Sequence, residues 1–279
     1  MAAIAAQLMN ARTALKTVAG ANAALEARLL AAHAWGMSAE QLVLCGNESR
    51  DEAAYAALVA RRIQAEPVSQ ILGSKDFWKD TFAVSRDVLT PRADSETIIE
   101  TLLRLRADAS APLRILDLGT GSGCLVLSAL REYRNATAVA VDASEAALAI
   151  AAQNAAALEV ANRIELLRSD WCSKVDGTFD VVLSNPPYIP TEEICGLDAD
   201  VQVYEPHSAL DGGTDGLDCY RSIVQQLVQH LHPNALVLFE VGMGQAKDVA
   251  AIGKAANWNL IEIVNDLAGI ARVVAFETN

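Results

Sequence analysis

From Asp94 onward, short apolar runs of strand length alternate with longer segments of helical spacing, and that alternation leaves few folds open. Residues 113–118, 137–141, 163–167, 179–184, 235–241, 260–264 and 271–276 read as strands. Between and around them, 94–106, 123–132, 145–158, 217–230 and 245–255 carry apolar residues at helical spacing. Strands joined through helices argue a mostly parallel α/β sheet with right-handed crossovers. Only 265–270 separates the last two strands, too few residues for a crossover, so an antiparallel hairpin is expected at one edge.

A seven-stranded sheet ending that way suits the Rossmann-like fold of class I methyltransferases. The chain of 279 residues has room for that domain and a smaller one. Residues 1–65 are Ala/Leu-rich and read as a small helical domain, with Leu25, Leu29 and Ala32 on one face and Tyr55, Leu58 and Ile63 on another helix. Ser38 and Asn47 are candidate helix caps. Residues 66–92 read as a linking β-hairpin from the β-like runs 68–72 and 81–84, and 93–279 as the α/β domain.

At 52% hydrophobic and 20% charged, the chain is that of a globular protein with ample core. No apolar stretch reaches membrane-spanning length, and residues 1–10 lack the basic start and apolar core of a secretory signal. The five cysteines form no C-x-x-C pair, which fits reduced thiols in a cytoplasm and no metal site. A net charge of −13 disfavours a nucleic-acid partner, since phosphate binding calls for a basic surface.

Two motifs carry chemistry. Residues 115–123 (ILDLGTGSG) turn a strand into a helix through Gly119, Thr120, Gly121, Ser122 and Gly123. Glycines let a backbone approach a ligand closely, and the following helix presents free N–H groups. The spacing is neither the dinucleotide fingerprint nor a phosphate loop, and it suits a methionine-bearing nucleoside, which has no pyrophosphate. Asp142, roughly 20 residues on, ends the next strand where an acidic residue meets ribose hydroxyls; the alternative is a cap for the helix starting at Ser144 or Glu145. Asp170 and Trp171 follow the third strand and are candidates to meet an adenine, or Trp171 is a plain core or lid aromatic.

The second motif is Asn185-Pro186-Pro187-Tyr188, directly after the apolar run 179–184. Two prolines end the strand rigidly, with no N–H to donate and φ fixed near about −65°. Oxygen acceptors on such a turn suit a planar –NH2 group. An amide nitrogen is a poor nucleophile, because its lone pair is delocalised. The Asn185 side-chain oxygen and the Pro186 carbonyl, accepting its N–H bonds, would favour a tetrahedral nitrogen aimed at a methyl group, while Tyr188 stacks on the amide. The expectation is methyl transfer to nitrogen.

These motifs, together with Glu66-Pro67 through Gly73, Pro91-Arg92, Tyr204-Glu205-Pro206 through Gly216-Leu217, and Asp266-Leu267-Ala268-Gly269, resemble the HemK/PrmC family of protein-(glutamine-N5) methyltransferases. The similarity runs nearly the whole length. It implies S-adenosyl-L-methionine (AdoMet) as cofactor, held by Gly119 through Gly123, Asp142, Trp171 and Asn185. It implies as substrate the glutamine of the Gly-Gly-Gln motif of class I peptide chain release factors, held by Asn185, Pro186, Pro187 and Tyr188. The first 65 residues would then dock the protein substrate, and the enzyme would act as a cytoplasmic monomer. Two local departures stand out: Ala93-Asp94-Ser95-Glu96 where the family usually reads Pro-Glu-Thr-Glu, and Ala271 where a polar residue is common.

Two rival readings are a nucleic-acid adenine N6-methyltransferase and a non-catalytic AdoMet-binding scaffold. His33, His207, His230 and His232 read as structural or surface residues, and Phe77 and Trp78 as core between domains. The glycine-rich run 211–216 lacks calcium-loop spacing and reads as a flexible surface turn.

Overall fold

The structure, a computed structural model, describes residues 2–279; Met1, where the N-terminal segment read above begins, lies outside them. It forms two compact units. One comprises the residues up to Ser74 with Asp198–Tyr204, the other Lys75–Leu197 with Glu205–Asn279.

The first unit is helical: α1 (Ile4–Ala19), α2 (Ala23–Trp35), α3 (Ala39–Leu44), α4 (Glu52–Ile63) and α5 (Val68–Leu72). Its core joins Ile4, Leu15, Leu30, Tyr55 and Ile71 with the small Ala11, Ala23 and Ala27, which let helices approach closely. The buried face of α2 is therefore not the expected one: Leu25 and Leu29 are 56% and 41% exposed. The Tyr55 hydroxyl satisfies itself on the Ala27 carbonyl at 2.9 Å. Ser38 caps α3 with a reciprocal capping box, but Asp51, not Asn47, caps α4.

Residues 68–72, expected as a strand, form a helix. Val68, Ile71 and Leu72 fit i, i+3, i+4 spacing, the Pro67 carbonyl accepts from Gln70 and Ile71, and Gly73 ends the turn at φ +71°. Ile71 joins the helical core, which carries this unit to Ser74 rather than to 65. The short helix α9 (Ala199–Tyr204), from far along the chain, belongs to the same unit. Tyr204 donates to the Gln64 carbonyl at 3.0 Å and accepts from Gln70 at 2.9 Å.

A hairpin of β1 (Ser74–Phe77), which lies in the second unit from Lys75 on, and β2 (Asp80–Ala83) precedes α6 (Glu96–Leu105). Phe77 and Phe82 are buried beside Ile98 and Leu102, so the hairpin is part of the α/β core. Then follow β3 (Arg114–Leu118), α7 (Cys124–Glu132), β4 (Thr137–Asp142), α8 (Glu145–Ala157), β5 (Ile164–Arg168) and β6 (Phe179–Ser184). The chain closes with α10 (Asp218–Leu227), β7 (Leu231–Glu240), α11 (Ala246–Ala255), β8 (Asn259–Asn265) and β9 (Ala271–Glu277). The sheet order is β5-β4-β3-β6-β7-β9-β8. Only β9 runs against its neighbours, inserted between β7 and β8, as the short final connection implies.

Alternate residues along each strand feed opposite faces. Ile115, Ala138, Val181, Leu236 and Val273 pack under α6, α7 and α8. Leu116, Val139, Val182, Val237 and Val274 pack against Tyr220 and Ile223 of α10 and Val249 of α11. Each such buried aliphatic contributes on the order of 1.5–3 kcal/mol, so the strand ends that carry the site stand on a stiff base. Among the described residues no helix is long and apolar enough to cross a membrane.

Candidate active site

Strand order reverses between β3 and β6: the chain winds outward from β3 through β4 to β5, then restarts at β6. Ligands of open α/β sheets bind at such a switch, beyond the carboxyl ends of the strands. A cavity of about 230 Å³ lies there, lined from β3 by Gly119 to Ser122, from β4 by Asp142, from β5 by Asp170 and Trp171, and from β6 by Asn185 and Pro187.

The glycine loop needs its glycines. Gly119 and Gly121 adopt φ +73° and +54°, and Gly123, at +80°, packs so closely that a Cβ would lie 2.9 Å from Leu127 Cδ1. Gly123 is thus a packing residue off the cavity wall. The loop is fixed from below. Gly119 and Thr120 donate to the Val141 carbonyl at 2.9 Å each, and Thr120 Oγ1 donates to Asp117 Oδ2 at 2.6 Å. Burial pushes the Asp117 carboxyl up to about 7, and its Oδ1 is buried without a hydrogen-bond partner.

Asp142 holds two backbones at once. Its Oδ2 accepts from Gly121 N and its Oδ1 from Ser144 N, both at 2.9 Å, and Ser144 caps α8. Ser144 and not Asp142 is thus the helix cap, and Asp142 braces it; that role leaves the ribose reading open, because each carboxylate oxygen keeps a second lone pair and the residue lines the cavity. Trp171 adopts φ +45°, unusual for a bulky side chain, and lays its ring against Gly119, where a Cβ would meet it at 3.5 Å.

At the end of β6, Ser184 donates to the Leu118 carbonyl at 2.7 Å, and Asn185 Nδ2 donates to Ser95 Oγ at 3.3 Å. Asn185 and Pro187 reach the cavity wall; Pro186 and Tyr188 do not. Half-buried Tyr188 packs its ring toward Gly242, and burial pushes its phenol up to about 12. Gln245 clamps the turn, donating to the Tyr188 carbonyl at 2.8 Å and accepting from Gly242 N at 3.0 Å. His207, Phe77 and Trp78 stay off the cavity wall. Among the described residues no group of His, Cys, Asp and Glu is arranged to hold a metal ion.

Comparison with known proteins places the chain among its relatives. The profile of the PrmC N-terminal domain matches residues 7–73, and that of the methyltransferase small domain matches 94–196. A release factor glutamine methyltransferase of Cereibacter sphaeroides is 43% identical over 91% of this chain and 90% of its own length. One from Agrobacterium fabrum is 39% identical over 99% and 97%. The chain belongs to the HemK/PrmC family of release factor glutamine methyltransferases. Among solved structures, a Thermus thermophilus 16S rRNA N2 G1207 methyltransferase in complex with AdoMet and guanosine shares the fold. It is 18% identical with a TM-score of 0.53, the match covering 74% of this chain and 50% of that one.

Several residues of the site in this family member carry no motif of their own. The run 211–216 is not a loose turn: it packs on the Asn185–Tyr188 segment. A Cβ on Gly212 would lie 2.7 Å from Tyr188 Cα, and one on Gly216 2.3 Å from the Tyr188 carbonyl oxygen. The three glycines in six residues are the signal of that close approach. Asn154 of α8 ties the loop to the hairpin, donating to the carbonyls of Ser122 at 2.8 Å and Ala83 at 3.1 Å. Arg92, on the cavity wall, grips buried Glu205 through both carboxylate oxygens at 2.8 and 2.7 Å. Arg272 is held by Asp266 at 2.9 Å and Asp94 at 3.1 Å, near the Glu240 carboxyl at the end of β7. A charged residue closing an apolar strand was the available signal for Glu240.

Proposed function

We propose that this enzyme transfers a methyl group from AdoMet to the side-chain amide nitrogen, N5, of the glutamine in the Gly-Gly-Gln motif of class I release factors. The observation that carries the reading is a rigid Asn-Pro-Pro-Tyr turn that brings Asn185 and Pro187 to the wall of a glycine-loop cavity, in a chain that matches named release factor glutamine methyltransferases over nine-tenths of its length.

The cradle fits the cofactor. Gly119 and Gly121 leave open backbone on the cavity side, Asp142 keeps lone pairs for ribose hydroxyls, and Asp170 and Trp171 offer an acceptor and a ring for the adenine. When bound, AdoMet supplies an electrophilic methyl on a cationic sulfur. Asn185 Oδ1 and the Pro186 carbonyl accept the two N–H bonds of the substrate amide and orient its nitrogen. Pro187 contributes the rigidity of the turn, and in this reading Tyr188, off the cavity wall, turns its ring to the planar amide. Orientation supplies most of the rate, so a dedicated base is unnecessary and the product proton leaves to solvent.

The helical unit is the docking element for the protein substrate in this reading. All five cysteines are unpaired, which suits a reducing cytoplasm. The net charge of −13 speaks against a nucleic-acid substrate. The reading also takes the enzyme as a monomer, which sedimentation velocity checks. The main test offers labelled AdoMet with an unmodified release factor, the same factor with its Gly-Gly-Gln glutamine replaced by alanine, and duplex DNA. Label on the first alone supports the reading. Equal label on the alanine variant, or label on DNA, overturns it.

A further inference from the structure

For Asn185 to accept from the substrate amide it must turn its oxygen, not its –NH2, toward the glutamine. A primary amide rotated by half a turn swaps donor for acceptor with almost no change of shape, so packing cannot choose between the two. Hydrogen bonding can. Asn185 follows Ser184, whose neighbour on β7 is Phe239, and Glu240 follows Phe239; adjacent parallel strands therefore end with Asn185 and Glu240 side by side. Ser95, on the turn leading into α6, completes the group.

The donors and acceptors have a direction. Glu240 is 2% exposed and Ser95 3%, and the Ser95 hydroxyl and Asn185 amide both face the Glu240 carboxyl. A carboxylate only accepts, so the Ser95 hydroxyl beside it is placed to turn its one proton toward Glu240. Ser95 Oγ then has only lone pairs for Asn185, which must present Nδ2, as the 3.3 Å contact from Asn185 Nδ2 to Ser95 Oγ records. The oxygen of the amide is left for the substrate. One Glu240 oxygen, Oε2, is buried with no hydrogen-bond partner, a costly arrangement in a group with no role.

We propose that ionised Glu240 acts through Ser95 to lock the Asn185 amide with Oδ1 toward the substrate glutamine, making Glu240 and Ser95 positioning residues for methyl transfer. The proposal rests on the glutamine reading above. It carries a pH dependence. Burial pushes Glu240 up to about 7; the Ser95 hydroxyl, Arg272 and the Asn185 amide pull it down, and Asp94 adds a like charge. Tyr188, Tyr220 and Cys124 are the other titratable groups near it. A protonated carboxyl donates to Ser95, which frees the Ser95 proton to reach Asn185 Oδ1 and favours the flipped amide. Turnover is therefore lost as the pH falls through about 7.

The test measures kcat and KM for release-factor methylation from about pH 5.5 to 9, with AdoMet affinity by calorimetry, for the wild type, Ser95→Ala, Ser95→Thr and Glu240→Gln. Ser95→Ala and Glu240→Gln are expected to lose kcat by roughly 100-fold and to keep AdoMet affinity within about threefold. Glu240→Gln also loses the acid limb. Ser95→Thr, which keeps the hydroxyl, recovers most of what Ser95→Ala loses. If the wild type methylates the glutamine but Ser95→Ala and Glu240→Gln match its kcat with the same acid limb, the proposal fails and the functional reading stands. A wild type that leaves the glutamine unmodified overturns both.

Discussion

Replacing Gly212 by alanine inserts a single methyl group between two backbones. On the observed chain it lies 2.7 Å from Tyr188 Cα, 2.8 Å from Tyr188 C and 2.9 Å from Gly216 Cα. All three are main-chain atoms, so no rotamer change relieves the contact. Ordinary contact begins near 3.4 Å, so the two segments must part by about 0.7 Å. The displacement passes to the substrate turn, because Gly212 donates to the Ile189 carbonyl at 2.8 Å and Ile189 to the Leu210 carbonyl at 3.0 Å. Overpacking of this kind costs about 1–3 kcal/mol, a Tm lowered by roughly 2–5 °C in a protein of this size. A misplacement of about 1 Å costs on the order of 100-fold in rate, so kcat should fall roughly 10- to 100-fold. Gly212 is not on the cavity wall, so AdoMet affinity should hold within about threefold. Steady-state methylation, calorimetry and thermal unfolding read the three quantities. Wild-type kcat with a lowered Tm would refute the claim that the position of the turn controls transfer.

Asn185→Ala removes the side-chain acceptor and should abolish measurable turnover while AdoMet binding, followed by calorimetry, is largely retained; unchanged turnover would remove Asn185 from the chemistry. Asp142→Ala strips the acceptor from Gly121 N and Ser144 N, and should weaken AdoMet binding by roughly 10- to 100-fold, at about 1.5–3 kcal/mol for a hydrogen bond to a charged group. Unaltered affinity would leave Asp142 as a brace of the loop and of Ser144 alone. Stability should also report the buried Asp117 carboxyl, pushed up from 3.8 to about 7 chiefly by burial. The folded state then holds that proton more tightly than the unfolded chain. The stabilisation is full below about pH 3.8 and is lost as the pH rises through about 7, at up to about 1.4 kcal/mol per pH unit. In urea unfolding at a series of pH values, Asp117→Asn should lack that decline; identical curves for variant and wild type would contradict it.

The sheet was legible because its information is periodic and local. Strands such as 179–184 are apolar throughout, and the six-residue link 265–270 forced the β8–β9 hairpin. The two motif loops were legible because glycine and proline act on their own backbone: positive φ at Gly119 and Gly121, a strand stop at Pro186-Pro187. What stayed hidden depends on partners distant in sequence. Gly212 and Gly216 matter because Tyr188 lies against them, and Ser95 and Glu240 matter because β6, β7 and the turn before α6 converge. In α2, leucine spacing pointed to the wrong face, since close packing selected alanines. Residues 68–72 went astray for a simpler reason: Val and Ile count toward a strand in any short window, while the i, i+3, i+4 pattern and the closing glycine decided for a helix.

The central claim is that the methyl group goes to the amide nitrogen of one glutamine. The most direct measurement is tandem mass spectrometry of the Gly-Gly-Gln peptide after reaction of an unmodified release factor with AdoMet carrying a deuterated methyl. A single labelled methyl is expected on the glutamine side-chain nitrogen, retained through mild base that cleaves esters. Label on a different residue, on a base-labile ester, or absent from the peptide while the enzyme consumes AdoMet would contradict it.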